Sequence, residues 1–223
     1  MVQVTGARIA RRVKRLFGDE SGVQVTNQDV IDWLNDAMTE ATIQNGSINL
    51  RRKYAPAIKN SFYAKFPSSD NNLAGIHSMS YRPTKDASYI PMTFVSSNQF
   101  EQMFPDWQTK GATGCPTYYS GDGSGKFKVY PAPIATDGVG FSVVYNAFFS
   151  EVTDLDAVME ISPRYFQFLL EYCLMKAYEM DENWEAADRK ASFIQSTLNV
   201  LHSGDSDLSQ AIYPTITSNV EDM

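Results

Sequence analysis

Sulfur and imidazole are scarce in this chain: among 223 residues the only cysteines are Cys115 and Cys173, and the only histidines are His77 and His202. That leaves no CxxC pair, no HExxH and no disulfide framework, so neither a metal nor a cofactor is expected. Cys173 reads as core packing and Cys115 as a loop thiol. Long apolar runs are missing too. None approaches the ~20 residues needed to span a bilayer, and no charged-then-apolar leader opens the sequence. The expectation is a soluble, cytosolically made protein with no membrane partner.

Catalytic signatures are equally thin. The loop Gly121-Asp122-Gly123-Ser124-Gly125-Lys126 imitates the end of a phosphate-binding loop, but position 120 is Ser120, Phe127 follows the lysine, and a strand follows where a helix is required. A calcium loop fails because Asp122 lacks alternating acidic partners. A flexible hairpin tip explains the glycines. No Ser/His/Asp set and no conspicuous carboxylate pair is present, so an enzyme is not expected.

What the chain has is apolar matter and unevenly placed charge. It is 43% hydrophobic and 13% aromatic, enough for one core with a substantial insertion. Its net charge of −7 divides into about +4 over residues 1 to 66, −1 over 67 to 150 and −10 over 151 to 223. A net acidic protein is not a general nucleic-acid coat, because phosphate affinity comes mostly from Lys and Arg; only the N-terminal third could grip phosphate.

The stretch from Ser162 to Leu201 organises the rest. Ser162 is placed to cap a helix and Pro163 suits its first position. Phe166, Leu170, Cys173, Ala177, Met180, Trp184, Ala187, Ala191, Ile194, Leu198 and Leu201 then form one apolar seam at heptad spacing. Between Tyr165 and Tyr178 the other faces also carry Phe168, Leu169, Tyr172, Leu174 and Met175, so this helix should be buried on more than one side. We read two helices in a hairpin, with Asp181 or Asn183 capping the second; a single long helix keeps the same register.

Upstream, Thr5 to Phe17 is a basic amphipathic helix, with Ile9, Val13, Leu16 and Phe17 on one face and Arg8, Arg11, Arg12, Lys14 and Arg15 on the rest. DNA, anionic lipid or an acidic protein could meet it, and a solvated face balancing the acidic C-terminal third is the plainer reading. Thr26 and Asp29 form a capping-box pair opening a helix lined by Val30, Trp33, Leu34, Ala37, Met38 and Ala41, with Asn35 and Asp36 on its flank. Residues 47 to 66 are ambiguous. Strands are expected at Leu73 to Tyr81, Tyr89 to Phe94, Thr117 to Tyr119, Lys126 to Tyr130 and Val139 to Phe148, interrupted by a helix at Asn98 to Phe104 and joined as an antiparallel meander. After His202 the pattern stops, and the tail is polar and acidic except for Ile212, Tyr213, Pro214 and Ile216.

This order of elements resembles the head-to-tail adaptor proteins of short-tailed bacteriophages, the tail tubular protein A kind. The resemblance is carried by Ile9 to Phe17, Val25-Thr26, Asp32-Trp33-Leu34-Asn35-Asp36-Ala37, Val129-Tyr130-Pro131-Ala132-Pro133, a strand ending in Tyr145, and Ser162-Pro163-Arg164-Tyr165. It implies an α+β fold in which N- and C-terminal helices form a bundle (1–66 and 150–203) around an antiparallel β-rich insertion (67–149), with an extended arm at 204–223. It also implies a homo-oligomeric ring, usually of twelve, between the portal protein and a tail nozzle or tail tube protein. The location would be the head–tail junction of a virion made in the host cytoplasm, with double-stranded DNA passing through the ring. Residues expected to meet partners are Arg11, Arg12, Lys14, Arg15, Tyr165, Tyr172, Leu174, Ile212, Tyr213, Pro214 and Ile216. Two rival readings stand beside it: another phage tail or ring component with a glycan- or receptor-binding β-domain, using Trp107, Tyr118 and Tyr119, and a DNA-binding protein using the basic N-terminal helix.

Overall fold

A computed structural model describes residues 4–45, 48–65, 72–121, 126–134 and 140–212. The chain divides into two compact units, Met1–Asn49 with Phe148–Met223, and Leu50–Ala147. The second unit is an insertion in the first, and it begins earlier than expected. The segment left ambiguous at 47–66 contains strand β1 (Leu50–Pro56) and strand β2 (Tyr63–Lys65). Pro56 ends β1 where a helix would have been broken, and the run Arg51-Arg52-Lys53 belongs to a strand that pairs with β10 (Gly140–Ala147).

The first unit is helical. Helix α1 (Gly6–Phe17) and helix α2 (Asn27–Gln44) precede the insertion; a 3-10 turn (Pro163–Tyr165), helix α5 (Phe166–Met180) and helix α6 (Trp184–Ile212) follow it. Helix α5 packs against α1, α2 and α6. This is why its sequence is apolar nearly all round: Phe168, Leu169, Leu170, Cys173, Leu174 and Ala177 are all buried, facing different neighbours. Ile9 and Val13 of α1, Leu34, Ala37, Met38 and Ala41 of α2, and Ile194 and Leu198 of α6 complete one apolar core. Burial pushes the Cys173 thiol well above its usual range, as befits a packing residue.

The hairpin reading holds. Lys190 of α6 reaches back to Glu171 of α5 at 2.7 Å, a contact of charge, which a continuous helix could not make. Asn183 supplies the cap, its Oδ1 accepting from the Ala186 amide at 3.2 Å. Ser162 makes no side-chain cap; Pro163 instead opens the 3-10 turn, so α5 proper starts at Phe166. The apolar seam is interrupted at the turn, where Met180 and Trp184 are exposed. The helix also outlasts the seam: the expected extended arm from 204 is still α6 as far as Ile212, and residues 213–223 lie outside the described part.

In the second unit, β10 lies between β1 and β3 (Leu73–Arg82), antiparallel to both, with Ala55, Phe141 and Tyr81 in register, and β4 (Ile90–Pro91) at the far edge of β3. A second sheet runs β2, β8 (Lys126–Tyr130), β7 (Tyr118–Gly121), β5 (Thr93–Phe94), and a small third one pairs β6 (Thr113–Gly114) with β9 (Ala132–Pro133). Short helices α3 (Ser97–Met103) and α4 (Trp107–Lys110) separate β5 from β6. The strand positions expected from sequence are largely present, but the meander is not: β8 and β10 belong to different sheets, and β5 joins β7 in parallel. Strand β10 is buried on both faces and takes an inner place in its sheet, its backbone paired on one side with β1 and on the other with β3.

Candidate partner-binding surface

Basic helix α1 is fixed at both ends. Near its start, Gly6 lies where a Cβ would come within 2.7 Å of the Leu155 side chain, and the Ala7 amide donates to the Leu155 carbonyl at 2.7 Å. Its end is a glycine cap: Gly18 takes the left-handed conformation at φ 91°, and the Gly18 and Asp19 amides both donate to the Lys14 carbonyl. Asp19 then folds the loop back. Its carboxylate accepts from the Val25 amide at 2.8 Å, the Ser21 hydroxyl at 3.0 Å and the Val23 and Gln24 amides at 3.1 and 2.8 Å. These donors, the Val25 amide foremost, hold its carboxyl at about 2. The loop delivers the chain to the capping box, where the Thr26 hydroxyl accepts from the Asp29 amide and the Asp29 carboxylate from the Thr26 amide.

The segment after the insertion is pinned against α2 by Asn35. Its Nδ2 donates to the Val152 carbonyl at 3.0 Å and its Oδ1 accepts from the Val152 amide at 2.8 Å. The flanking polar residue seen in the sequence is therefore a clamp on a neighbouring turn. The next residues, 153–156, then face α1 across a cleft of about 650 Å³. Arg11, Lys14 and Arg15 of α1 line it together with Glu20 just beyond the helix; Asp154 and Asp156 lie on the facing segment; Ala7, Ala10, Ile31 and Leu155 supply apolar lining.

The sequence-chosen residues thus separate. Arg11, Lys14 and Arg15 share the cleft. Arg12 points elsewhere: it and Arg8 lie over the Phe166 ring, at 5.5 and 4.8 Å from its centroid. Lys14 donates to Asn27 Oδ1 at 2.8 Å. Tyr165 and Leu174 are corrections: each is 1% exposed, covered by helices of its own chain, so neither offers a surface to a partner. The Tyr165 hydroxyl accepts from Asn45 Nδ2 at 2.9 Å, and burial raises its pKa. Tyr172 is half-buried against the same core. Ile212 ends α6, and Tyr213, Pro214 and Ile216 lie outside the described residues.

Three participants were not singled out. Phe166 seemed one more seam residue, and Asp154 and Asp156 are ordinary loop acids until the fold sets them opposite α1. Trp184 belonged to the seam on spacing but is 62% exposed. The β-domain aromatics go the other way. Trp107 and Tyr119 are 2% and 3% exposed. Trp107 packs with Phe62, Tyr63 and Phe100 and donates to Glu101 at 2.9 Å, so these rings are interior packing rather than a glycan platform. Among the described residues no group of three or more His, Cys, Asp or Glu is placed to hold a metal ion, and no helix is long and apolar enough to cross a membrane.

The profile of one family, the SU10 adaptor proteins, matches residues 4–215. The chain belongs to the SU10 adaptor protein family. That match includes both halves of the helical unit and the whole insertion. No curated protein matches the chain. As a member of a structural phage adaptor family, the SU10-type chain is a virion component whose work is association with other virion proteins.

Proposed function

We propose that this chain forms the ring-shaped head-to-tail adaptor joining portal to tail, twelve copies enclosing part of the channel through which double-stranded DNA leaves the head. The observation that carries the reading is the adaptor-family match over nearly the whole chain. Charge supports it: a net of −7 suits a conduit, because a wall dense in Lys and Arg would bind phosphates and stall the duplex. Exposed apolar side chains on the helical unit, among them Leu16, Val23 and Trp184, supply surface its own fold leaves uncovered. The C-terminal segment with Tyr213, Pro214 and Ile216 adds a further contact, to portal or to a neighbouring copy.

Negative-stain images of the purified protein mixed with its portal test this. Rings seated on the portal are expected, and free monomers under all conditions would overturn the reading. The DNA-binding alternative is disfavoured by the basic helix itself, since Arg8 and Arg12 lie on Phe166 and carboxylates face the remaining cations across the cleft.

A further inference from the structure

A ring of identical copies needs two different, complementary patches on each copy. Resting on the ring reading above, we propose that the ring closes by seating Trp184 of one copy, at its α5–α6 turn, in the cleft beside α1 of the next. The turn is built as a projecting tip. Asp181 and Glu182 complete it, the latter at φ 56°, and the Asn183 amide donates back to the Tyr178 carbonyl at 2.9 Å, so the indole of Trp184 is held out at 62% exposure. An exposed tryptophan on a well-ordered turn is the residue type that most often anchors a protein interface. The rings of Phe17 and Tyr178 sit 5.6 Å apart, which puts the end of α1 beside this turn. The same end of the unit therefore also carries Leu16 at 54% and Val23 at 80% exposure, an apolar surround with Asp181 and Glu182 at its edge.

The cleft carries both signs of charge, Arg11, Lys14 and Arg15 with Glu20, Asp154 and Asp156. At about 650 Å³, with Ala7, Ala10, Ile31 and Leu155 in its lining, it is roomy enough for an indole. Arg11 and Arg15 meet the turn's two carboxylates. Asp154 and Asp156 on the facing wall offer acceptors to the indole N–H. Those acids also decide between occupants. A nucleic-acid backbone has only phosphates to set against Glu20, Asp154 and Asp156, whereas the turn presents an indole N–H donor as well as its acids. Two copies meeting turn to turn would oppose like charges, whereas a turn-to-cleft contact pairs opposite ones and, repeated from copy to copy, propagates around a ring.

The test is particle mass by light scattering and native mass spectrometry, with the melting curve of each variant as the check on folding. Trp184→Ala, on an exposed position, should leave the melt unchanged and weaken self-association by about 30-fold or more. Arg11→Glu/Arg15→Glu and Asp181→Lys/Glu182→Lys should each give folded monomers. An equimolar mixture of the two charge-reversed variants should recover the oligomer, because alternating copies restore opposite charges at every contact. On assembly of the wild type, emission of Trp184 should shift to the blue, a change absent from Trp184→Phe. If the wild type forms rings and the variants form them equally well, or if folded charge-reversed variants fail to rescue each other, this contact is wrong and the ring stands. If the wild type stays monomeric both alone and with portal, the ring reading falls and takes the contact with it.

Discussion

Leu174→Ala separates two accounts of the helix at the centre of the first unit. From sequence, Leu174 is one apolar residue too many for a single subunit and belongs to a neighbour. In the structure it is 1% exposed, in a core shared by α1, α2, α5 and α6. Removing three carbons from a fully buried leucine costs the lost transfer free energy plus that of the cavity left behind, about 2–5 kcal/mol in general. Helix α5 is held by three other helices and cannot settle toward any one of them, so the cost lies above the low end of that range, at about 3–4 kcal/mol. With about 2–4 °C per kcal/mol for a domain of this size, the transition of the helical unit should fall by about 6–16 °C. Differential scanning calorimetry of wild type and variant, with hydrogen exchange to assign the transition, measures this. The insertion should be unaffected, since its core is a separate cluster around Met79, Tyr81, Phe127 and Phe141. A variant that melts within about 1 kcal/mol of wild type yet no longer assembles would refute the reasoning and return Leu174 to an interface.

Other tests address single contacts. Asn35→Ala strips both partners from the Val152 backbone and should cost about 1–3 kcal/mol, with faster exchange of the Val152 amide as the local sign. Asp19→Ala should lower the melting temperature at neutral pH. Because the folded carboxyl sits at about 2 against an ordinary 3.8, the stabilisation is present above about pH 4 and is lost as pH falls through 2, so the two melting curves should converge there. Gly111→Ala places a methyl 2.1 Å from the Trp107 carbonyl oxygen and 2.3 Å from the Phe62 ring, and should destabilise the insertion by about 1–3 kcal/mol while sparing the helical unit; equal melts would show that the α4 turn can yield.

Local chemistry was legible where it acts over a few residues. The capping box at Thr26 and Asp29 follows from side chains satisfying backbone groups one turn away. The hairpin at 181–183 and the strands now called β3, β8 and β10 were visible as periodicity between turn residues. The failures share a cause. The early start of the insertion at Leu50 was hidden because β1 is a basic edge strand whose pattern carries no apolar alternation until its partner β10 is known. The supposed glycan rings looked the same in sequence whether exposed or stacked in a core.

By itself, then, the sequence determined the positions of most helices and of strands β3, β8 and β10, the capping box that opens α2, and the charge gradient from a basic first third to an acidic last one, since each depends on neighbours along the chain. Only the tertiary structure decided which apolar residues are covered by their own chain and which stay exposed. Leu174 and Trp184 lie on the same hairpin, yet the first is enclosed by three helices and the second stands exposed on the turn. Burial is fixed by what packs across the gap, and for α5 much of that is supplied by α1 and α2, separated from it by the whole insertion.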